Sequence, residues 1–422
     1  MTLDFNIPKI IVVSQGMSLE SLFPFLSAED LNQAVGCTST ETGNSLEHVK
    51  QIVIDKMIAI KTEFRTNGVV VIKGAVCHAK VSESVYDIWN YILNLPFTPE
   101  IKEKWEEIYE GMKDDFWRDV TPKESKLAKE IYPMTGGFAA LTRSPAFHLQ
   151  TQWDIRQNPY IASIFANLLG TQELMVAIDR ISFKYPGQGE NEFEHWDSNP
   201  WFWPEEEYEG LQGIIALSET SFFAVPGSNT EKFRKEFISK YPYRAEKNEY
   251  RIDKKNDPMG LFGKSVQYKL SPGDLVIWSS RCLHQAKKNK TNNIRYAYFI
   301  TYFPRGQPQP AVLEVYEKKS IDFIEDRINS FETGQNPKFF PSGIEIRLYS
   351  RMAYMMHPHV LNKFCDMFTT GCEEKTYASG TKKEGQVVRI PIEWDPVKLG
   401  IYEPPRLSKL GEYLLGKIES WN

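Results

Sequence analysis

Apolar residues recur every three or four positions in several segments before residue 170, a pattern typical of amphipathic helices. It predicts helices at Leu46 to Thr66, Ser82 to Leu95, Thr98 to Gly111 and Pro159 to Leu169, the last ending before Gly170. Glycine ends helices readily because it adopts the left-handed conformation without steric penalty. From Met175 to Tyr302, short apolar runs and alternating patterns predict strands instead. Helices followed by a run of strands predict a β-barrel with a supporting helical layer.

The chain of 422 residues divides into three parts by composition. Residues 1–50 are predicted as an N-terminal arm, residues 51–304 as the barrel domain with its helices, and residues 305–422 as a C-terminal helical extension after a linker rich in Pro and Gly. The pattern leaves open whether the extension covers a site or packs elsewhere. In the outer parts, helices are predicted at Ala28 to Val35, with Ser27 as its N-cap, at Val312 to Glu332 and at Ile344 to Met356.

Within the strand region, His195 and Asp197 are separated by a single residue. Side chains at positions i and i+2 of a strand lie on the same face, so both can reach one ion while Trp196 faces away. A third ligand has to come from a distant strand, and His284 is the candidate. Two imidazoles and one carboxylate are the ligand set of non-haem Fe(II) oxygenases. The three residues are therefore predicted to form a metal site.

The residues around His284 strengthen this prediction. A turn at Pro272-Gly273-Asp274 leads into a buried strand from Leu275 to Trp278, shortly before the histidine. Arg295 then stands at the start of a second strand, which runs from Ile294 to Phe303. A guanidinium group there can bind a carboxylate through two parallel hydrogen bonds, as anchoring a dicarboxylate cosubstrate requires. A surface ion pair is the alternative role for Arg295.

With these motifs the chain resembles the Fe(II)/2-oxoglutarate-dependent dioxygenases, and within them the phytanoyl-CoA dioxygenase-like branch, over residues 56–304. Further segments similar to the family are Phe64 to Gly74, Leu211 to Leu217 and Phe222 to Asn229. Asn229 stands where the family usually has a histidine, at a position that is not a metal ligand. The resemblance implies a mainly β fold with flanking helices, whose core is a double-stranded β-helix (jelly-roll, cupin-like) with iron at its mouth.

The resemblance also implies roles for the site residues. His195, Asp197 and His284 would hold Fe(II), and Arg295 would anchor 2-oxoglutarate, leaving a position for O2. The expected reaction is hydroxylation, or another oxidation of a C–H bond, with release of succinate and CO2. Related halogenases have a small residue in place of the carboxylate, so the presence of Asp197 disfavours halogenation. By analogy with the branch, the expected substrate is a small organic molecule.

Clues to the substrate are few. Trp201 and Trp203 follow the ligand pair and are candidates for lining a substrate pocket, although aromatic residues, 13% of the chain, also fill barrel cores. Arg281 lies close to His284 and is a candidate contact for a substrate anion, with a surface ion pair as the alternative. Lys184 is a candidate to face the cosubstrate, and Arg180 is expected to pair with its neighbour Asp179.

Composition excludes some classes of function. The net charge is −5 and no long basic block occurs, which argues against nucleic acid as the main partner. No apolar run is long enough to span a membrane, and the N-terminus does not resemble a secretory signal. Five cysteines without metal-like spacing are interpreted as reduced thiols of a cytoplasmic protein.

Two other functions stay open. One is a protein or peptide hydroxylase, in which the C-terminal extension would form a recognition groove. The other is a non-catalytic barrel that binds a ligand. The intact set of two histidines and one aspartate speaks against the second, because a binding scaffold has no physical need for converging metal ligands.

Overall fold

The structure, a computed structural model, describes most of the chain. The described residues are 18–27, 29–30, 40, 43–131, 140–141, 145–188, 194–203, 211–245, 250–285, 287–305, 322–335, 337, 365–376, 385, 387–391 and 394–421. The predicted helix Ile344 to Met356 lies outside these residues, as does all of Ala28 to Val35 except positions 29 and 30.

The described α-helices are numbered in chain order, and most of them come before residue 170. They are α1 (Leu19–Leu22), α2 (Leu46–Asn67), α3 (His78–Leu93), α4 (Pro99–Met112), α5 (Pro122–Ile131), α6 (Gln150–Arg156), α7 (Pro159–Leu169), α8 (Glu231–Lys240), α9 (Leu261–Lys264), α10 (Phe323–Thr333) and α11 (Lys409–Leu415).

The four helices predicted by the apolar period are confirmed as α2, α3, α4 and α7. Helix α7 ends as expected, because Gly170 has a φ of 73° and its N–H donates to the Ala166 carbonyl. The start of α3 was predicted four residues too late. Helices α5, α6 and α8 are among those that were not predicted. Helix α6 is short, and α8 buries only Phe237, so it has no apolar face that a period could reveal. Of the predicted helix Val312 to Glu332, the structure describes the last part, which begins at Phe323.

The described strands are also numbered in chain order, and most of them come after residue 170. They are β1 (Val69–Ile72), β2 (Ala140–Leu141), β3 (Leu174–Val176), β4 (Ile181–Lys184), β5 (Glu194–Trp196), β6 (Leu211–Ala216), β7 (Thr220–Ala224), β8 (Tyr250–Ile252), β9 (Val266–Leu270), β10 (Leu275–Ser279), β11 (His284–Gln285), β12 (Arg295–Pro304), β13 (Cys372–Thr376) and β14 (Val387–Pro391).

The strands form two main antiparallel sheets. The larger has the order β1-β10-β6-β12-β4-β2, with β3 added to β12, and the smaller has the order β8-β5-β11-β7-β9. Between β4 and β12 the chain crosses repeatedly from one sheet to the other, so that β4, β6, β10 and β12 alternate with strands of the smaller sheet. This arrangement is the predicted double-stranded β-helix, and the predicted mainly β fold with flanking helices is confirmed.

Alternating side chains give the larger sheet two apolar faces. One face packs against the helices; Tyr296, Tyr298 and Tyr302 of β12 lie there in the largest core cluster. The opposite face packs against the smaller sheet, where Ala297 of β12 and Phe222 of β7 share a second cluster. The inner faces of the two sheets therefore enclose the space in which the candidate site lies.

Described residues of the C-terminal extension belong to the main core. Tyr413 and Leu414 of α11 are buried in the largest cluster, and Arg327 of α10 donates to the carbonyl oxygens of Val176 and Leu414. These contacts tie the extension to β3 at the edge of the larger sheet. The division of the chain into three parts remains a prediction.

The prediction of reduced cysteines is wrong for one pair. Cys365 and Cys372 form a disulfide, whereas Cys77 and Cys282 are not disulfide-bonded. The odd number of cysteines concealed this pair, because counting does not reveal which thiols meet in the fold. Within the described residues, no helix combines the length and apolar character needed to cross a bilayer.

Gly273 in the predicted turn lies against the backbone of another segment. Its φ is +92°, and a Cβ there would lie 2.3 Å from the Val76 carbonyl oxygen. We expect Gly273→Ala to lower the free energy of unfolding by about 2–4 kcal/mol, from strain and a backbone clash. Gly170→Ala is the matched control, because φ is +73° but no atom lies within 4 Å of the added Cβ. Gly170→Ala should lower the free energy of unfolding by about 1 kcal/mol. Equal urea midpoints for the two variants would contradict the prediction.

Candidate metal centre

Two neighbouring strands of the smaller sheet carry the candidate histidines. His195 in β5 and His284 in β11 are directly opposite each other in antiparallel register, and their ring centroids are 4.3 Å apart. Trp196 lies on the other face of β5, where its ring packs 4.5 Å from Phe237. The predicted alternation of His195 and Trp196 is therefore confirmed, and the fold supplies the register that brings His284 alongside.

Asp197 completes the group immediately after β5. Its Oδ1 lies 3.6 Å from His195 Nε2, and its Oδ2 lies 3.4 Å from His284 Nε2. One ligand atom from each residue lies within 4.8 Å of the others, which fits a single shared cation. Gln212 in β6 donates a hydrogen bond from Nε2 to Asp197 Oδ2. This bond holds the carboxylate in place from the opposite sheet.

The orientation of His284 favours metal binding. Its Nδ1 lies 3.0 Å from the Cys282 carbonyl oxygen. A carbonyl only accepts hydrogen bonds, so Nδ1 carries the proton and Nε2 presents its lone pair towards Asp197. The ring is fixed by packing against Phe222 and Trp278, at centroid distances of 5.7 and 5.3 Å.

Burial and neighbouring polar groups set the protonation states of His195 and Asp197 in the metal-free protein. Burial, then the electrostatic effect of His284, lowers the pKa of His195 to about 3, with a further contribution from Arg251. Burial alone would raise the pKa of Asp197, but His284, His195, the hydrogen bond from Gln212 and the charge of Arg180 together lower it. At neutral pH His195 is therefore neutral and Asp197 ionised, the states in which both bind metals.

Arg295 lies at the start of β12, on the inner face that it shares with Ala297. It is 8% exposed, and burial lowers its pKa to about 10, so it stays charged at neutral pH. Its Nη1 donates to the Lys287 carbonyl at 3.3 Å, while its Nε has no hydrogen-bond partner among the described residues. A buried guanidinium with an unused donor fits a carboxylate from outside the chain. The paired position in β4 is Lys184, on the same face.

The candidate substrate residues lie beside the ligands but mostly pack against one another. Trp203 is buried, and its Nε1 donates to the Ser198 carbonyl at 2.9 Å. The Arg281 guanidinium lies 5.3 Å from the Trp203 ring centroid, and the half-buried Trp201 packs at 5.3 Å against the exposed Tyr243. For Trp203, packing is the role that these contacts support.

Sequence reasoning missed Gln212 and Arg251 and gave Arg180 only the role of an ion pair. Arg180 does lie next to Asp179, but at 3.9 Å. The signal for Gln212 was present, since it is a polar residue in the otherwise apolar strand Leu211–Ala216. No local pattern shows that Arg251 pairs with His195.

Gln212 permits a direct test of how the carboxylate is held. We expect Gln212→Leu to weaken the binding of Co(II) by about 10- to 100-fold, as loss of a partner behind a metal ligand usually does. Gln267→Leu is the control, because Gln267 is exposed on β9 and bonds Ser221 on the face of the smaller sheet opposite to Phe222 and the ligands. Calorimetric titration of both variants measures the difference, and equal affinities would show that Gln212 does not position Asp197.

Comparison with known proteins identifies the family of this chain. The sequence model described as Phytanoyl-CoA dioxygenase (PhyH) matches residues 64–297, more than half of the chain. The chain belongs to the phytanoyl-CoA dioxygenase family. The resemblance noted in the sequence is confirmed, and with it the predicted cofactors Fe(II), 2-oxoglutarate and O2.

Individual relatives are distant from this phytanoyl-CoA dioxygenase family member. "Ava biosynthesis cluster protein O" of Aspergillus versicolor is 24% identical over 191 residues, 40% of this chain and 58% of that protein. A Dictyostelium discoideum protein, provisionally named a phytanoyl-CoA dioxygenase, is 26% identical over 206 residues, 40% of this chain and 57% of its own. The chain thus spans less than two thirds of the length of either relative.

Among solved structures, the non-heme alpha ketoglutarate dependent carbocyclase SnoK from nogalamycin biosynthesis is similar over 58% of this chain and 83% of its own, with 17% identity and a TM-score of 0.37. AviO1 from Streptomyces viridochromogenes Tue57 is similar over 59% of this chain and 95% of its own, with 14% identity and a TM-score of 0.36. Membership of the family rests on the sequence match and not on these structural similarities.

Proposed function

We propose that this protein is a dioxygenase that hydroxylates, or otherwise oxidises a C–H bond of, a small organic molecule, with release of succinate and CO2. The observation that carries the proposal is the convergence of His195, Asp197 and His284 between the two sheets. Three ligands on one side of an ion leave positions for a bidentate cosubstrate and for O2. The bound iron would supply the oxidising chemistry, and the protein would orient the reactants.

In this proposal each residue of the site has a separate task. His195, Asp197 and His284 would hold the iron, and Gln212 would keep the carboxylate of Asp197 directed at it. Arg295 would bind the distal carboxylate of 2-oxoglutarate, which supplies the partner that its Nε lacks. Phe222 and Trp278 pack around His284 and help to exclude water from the reacting centre.

The small-molecule substrate is the finer part of the proposal. The Aspergillus versicolor relative is named for a biosynthesis cluster, which supports a small molecule rather than a protein as substrate. No contact among the described residues favours the protein hydroxylase, and the convergence of metal ligands counts against a purely binding role. A cytoplasmic location remains a prediction.

Anaerobic titration of the metal-free protein with Fe(II), and then with 2-oxoglutarate, tests the proposal. A weak visible charge-transfer band that develops with 2-oxoglutarate is the expected result, followed by succinate when O2 is admitted. Iron binding without any band or succinate would contradict a role for 2-oxoglutarate at this site. The function would then have to be sought among other metal enzymes or binding proteins.

A further inference from the structure

Trp278 carries a buried hydrogen-bond donor that the described part of the chain does not use. The residue lies in β10 and is 2% exposed. Its indole Nε1 is buried and has no hydrogen-bond partner among the described residues. An indole N–H is a donor only, and a buried donor without an acceptor destabilises the state in which it is left unpaired. The arrangement therefore suits an acceptor from outside the chain.

Strand register places this donor beside the metal ligands. Trp278 is directly opposite Gln212 in the pairing of β10 with β6, and paired side chains of an antiparallel sheet lie on the same face. Gln212 donates to Asp197 from that face. The ring centroid of Trp278 lies 5.3 Å from that of His284 and 4.5 Å from that of Phe222, both in the smaller sheet. Trp278 is thus on the inner face of the larger sheet, next to the candidate metal centre.

The same unused donor occurs in three other described tryptophans, Trp105, Trp196 and Trp201. Trp105 of α4 belongs to the largest core cluster, on the helical side of the larger sheet. Trp196 and Trp201 pack in the cluster on the outer face of the smaller sheet. Of these four tryptophans, Trp278 is the one in the cluster between the two sheets. The unused donor is therefore tied to the candidate site at Trp278, and Trp105 supplies a matched control.

The position of Trp278 along the sheet separates it from the cosubstrate anchor. Gln212 pairs with Thr301 of β12 as well as with Trp278, so these three residues are level across the larger sheet. Arg295 stands six residues before Thr301 in the same strand, which is roughly 20 Å along the sheet. A 2-oxoglutarate molecule held between the metal and Arg295 would extend away from Trp278. The indole donor therefore faces the part of the site that is left for the substrate.

The next positions of the inner face towards Arg295 are apolar. Val276, Ile214 and Phe299 are level with one another on β10, β6 and β12. Val276 and Ile214 belong to the same buried cluster as Trp278. This surface suits the apolar body of a small molecule, to which the indole N–H offers one directional contact.

We propose that Trp278 selects the substrate by donating its indole N–H to a neutral oxygen acceptor, such as a ketone, ether or hydroxyl group, on a largely apolar molecule. The acceptor is neutral because an added charge among these apolar side chains is costly. The inference rests on the proposed function, because it names the substrate class for the same site. The hydrogen bond would fix the orientation of the substrate and so determine which of its C–H bonds lies nearest to the metal.

Isosteric probes test this contact. Acetone, cyclohexanone and acetophenone carry a carbonyl acceptor, whereas a methylene group replaces the oxygen in isobutene, methylenecyclohexane and α-methylstyrene. Each probe would be titrated anaerobically into the protein loaded with Fe(II) and saturating 2-oxoglutarate, following the visible band. The ratio of affinities in each pair, ketone over alkene, should be about 2- to 10-fold larger in wild type than in Trp278→Phe, the range for one neutral hydrogen bond. Comparing ratios removes the difference in hydration between ketone and alkene.

Trp105→Phe is the matched control for this variant. It removes an unpartnered indole N–H of the same kind from helix α4, on the helical side of the larger sheet, and should leave the ratio at the wild-type value. An equal ratio in wild type and Trp278→Phe would overturn the proposal. A fall of the same size in Trp105→Phe would also overturn it, because the effect would then not depend on the position of the donor.

The indole proton of Trp278 reports the contact directly in the wild-type protein. In isotopically labelled protein loaded with diamagnetic Zn(II) and 2-oxoglutarate, its nuclear magnetic resonance signal is the one that Trp278→Phe removes. A ketone should shift this signal downfield, and the matching alkene should not. A signal that none of the ketones moves would overturn the proposal. A signal that 2-oxoglutarate alone moves, with no further change on adding ketone, would assign the donor to the cosubstrate and overturn it as well.

Failure of this inference can be told apart from failure of the proposed function. If wild type forms no visible band with Fe(II) and 2-oxoglutarate, the proposed function fails and this inference fails with it. If the band forms normally in wild type and in Trp278→Phe, but the two proteins have the same ratio of ketone to alkene affinity, only the contact with Trp278 fails.

Discussion

Asp197→Ala is expected to lower succinate formation by about a thousandfold or more. Loss of the carboxylate removes one of three ligands and the only anionic one, and several kcal/mol of metal stabilisation corresponds to that factor. Both histidines keep their positions, because His195 and His284 are held by the pairing of β5 with β11. The variant should therefore fold normally while it loses both iron affinity and turnover.

Iron content and the rate of 2-oxoglutarate decarboxylation would be measured together for this variant. Asp366→Ala is the matched control, because Asp366 is an exposed aspartate paired with Arg389 on the surface. It should leave both quantities unchanged. An Asp197→Ala protein with normal iron content and normal decarboxylation would show that the metal is held elsewhere.

Arg295→Leu is expected to raise the concentration of 2-oxoglutarate needed for half-saturation by about 100-fold. Removing one partner of a buried charge pair costs about 2–5 kcal/mol, and the leucine leaves the distal carboxylate of 2-oxoglutarate without a partner. Iron binding should be unaffected, because Arg295 is not a ligand. Titration of the visible band with 2-oxoglutarate measures the change.

Arg295→Lys provides the comparison for this prediction. Lysine retains the positive charge but not the planar pair of donors, so its affinity for 2-oxoglutarate should lie between wild type and Arg295→Leu. An unchanged affinity in Arg295→Leu would assign the anchoring role to another cation, and Lys184 in the paired position would be the first to test.

The parts of the site that local pattern predicts are those within one strand. His195, Trp196 and Asp197 alternate as any strand does, and the turn around Gly273 follows from its Pro and Gly. The pairing of His195 with His284 depends on the register of strands far apart in the chain, which no local signal specifies. That His195 and His284 meet was predicted from the chemistry of the ligand set and from the family resemblance.

Residues that act through another residue were harder to predict. Gln212 and Arg251 matter because β6 and β8 bring them to the ligands. The polar Gln212 stands out in an apolar strand, but nothing local indicates which residue it meets, and Arg251 has no local signal at all. The pairing of Cys365 with Cys372 was missed for the same reason. Sequence therefore predicted the three residues that converge at the candidate site, while Gln212 and Arg251 emerged only from the packing of the strands; the roles of metal ligand and cosubstrate anchor stay predictions.

The most direct test of this account is anomalous X-ray diffraction at the iron edge from crystals grown anaerobically with Fe(II) and 2-oxoglutarate. The account predicts a single strong peak within bonding distance of His195 Nε2, an Asp197 oxygen and His284 Nε2, with density for 2-oxoglutarate extending from the peak to Arg295. A peak elsewhere, or 2-oxoglutarate bound away from Arg295, would contradict it.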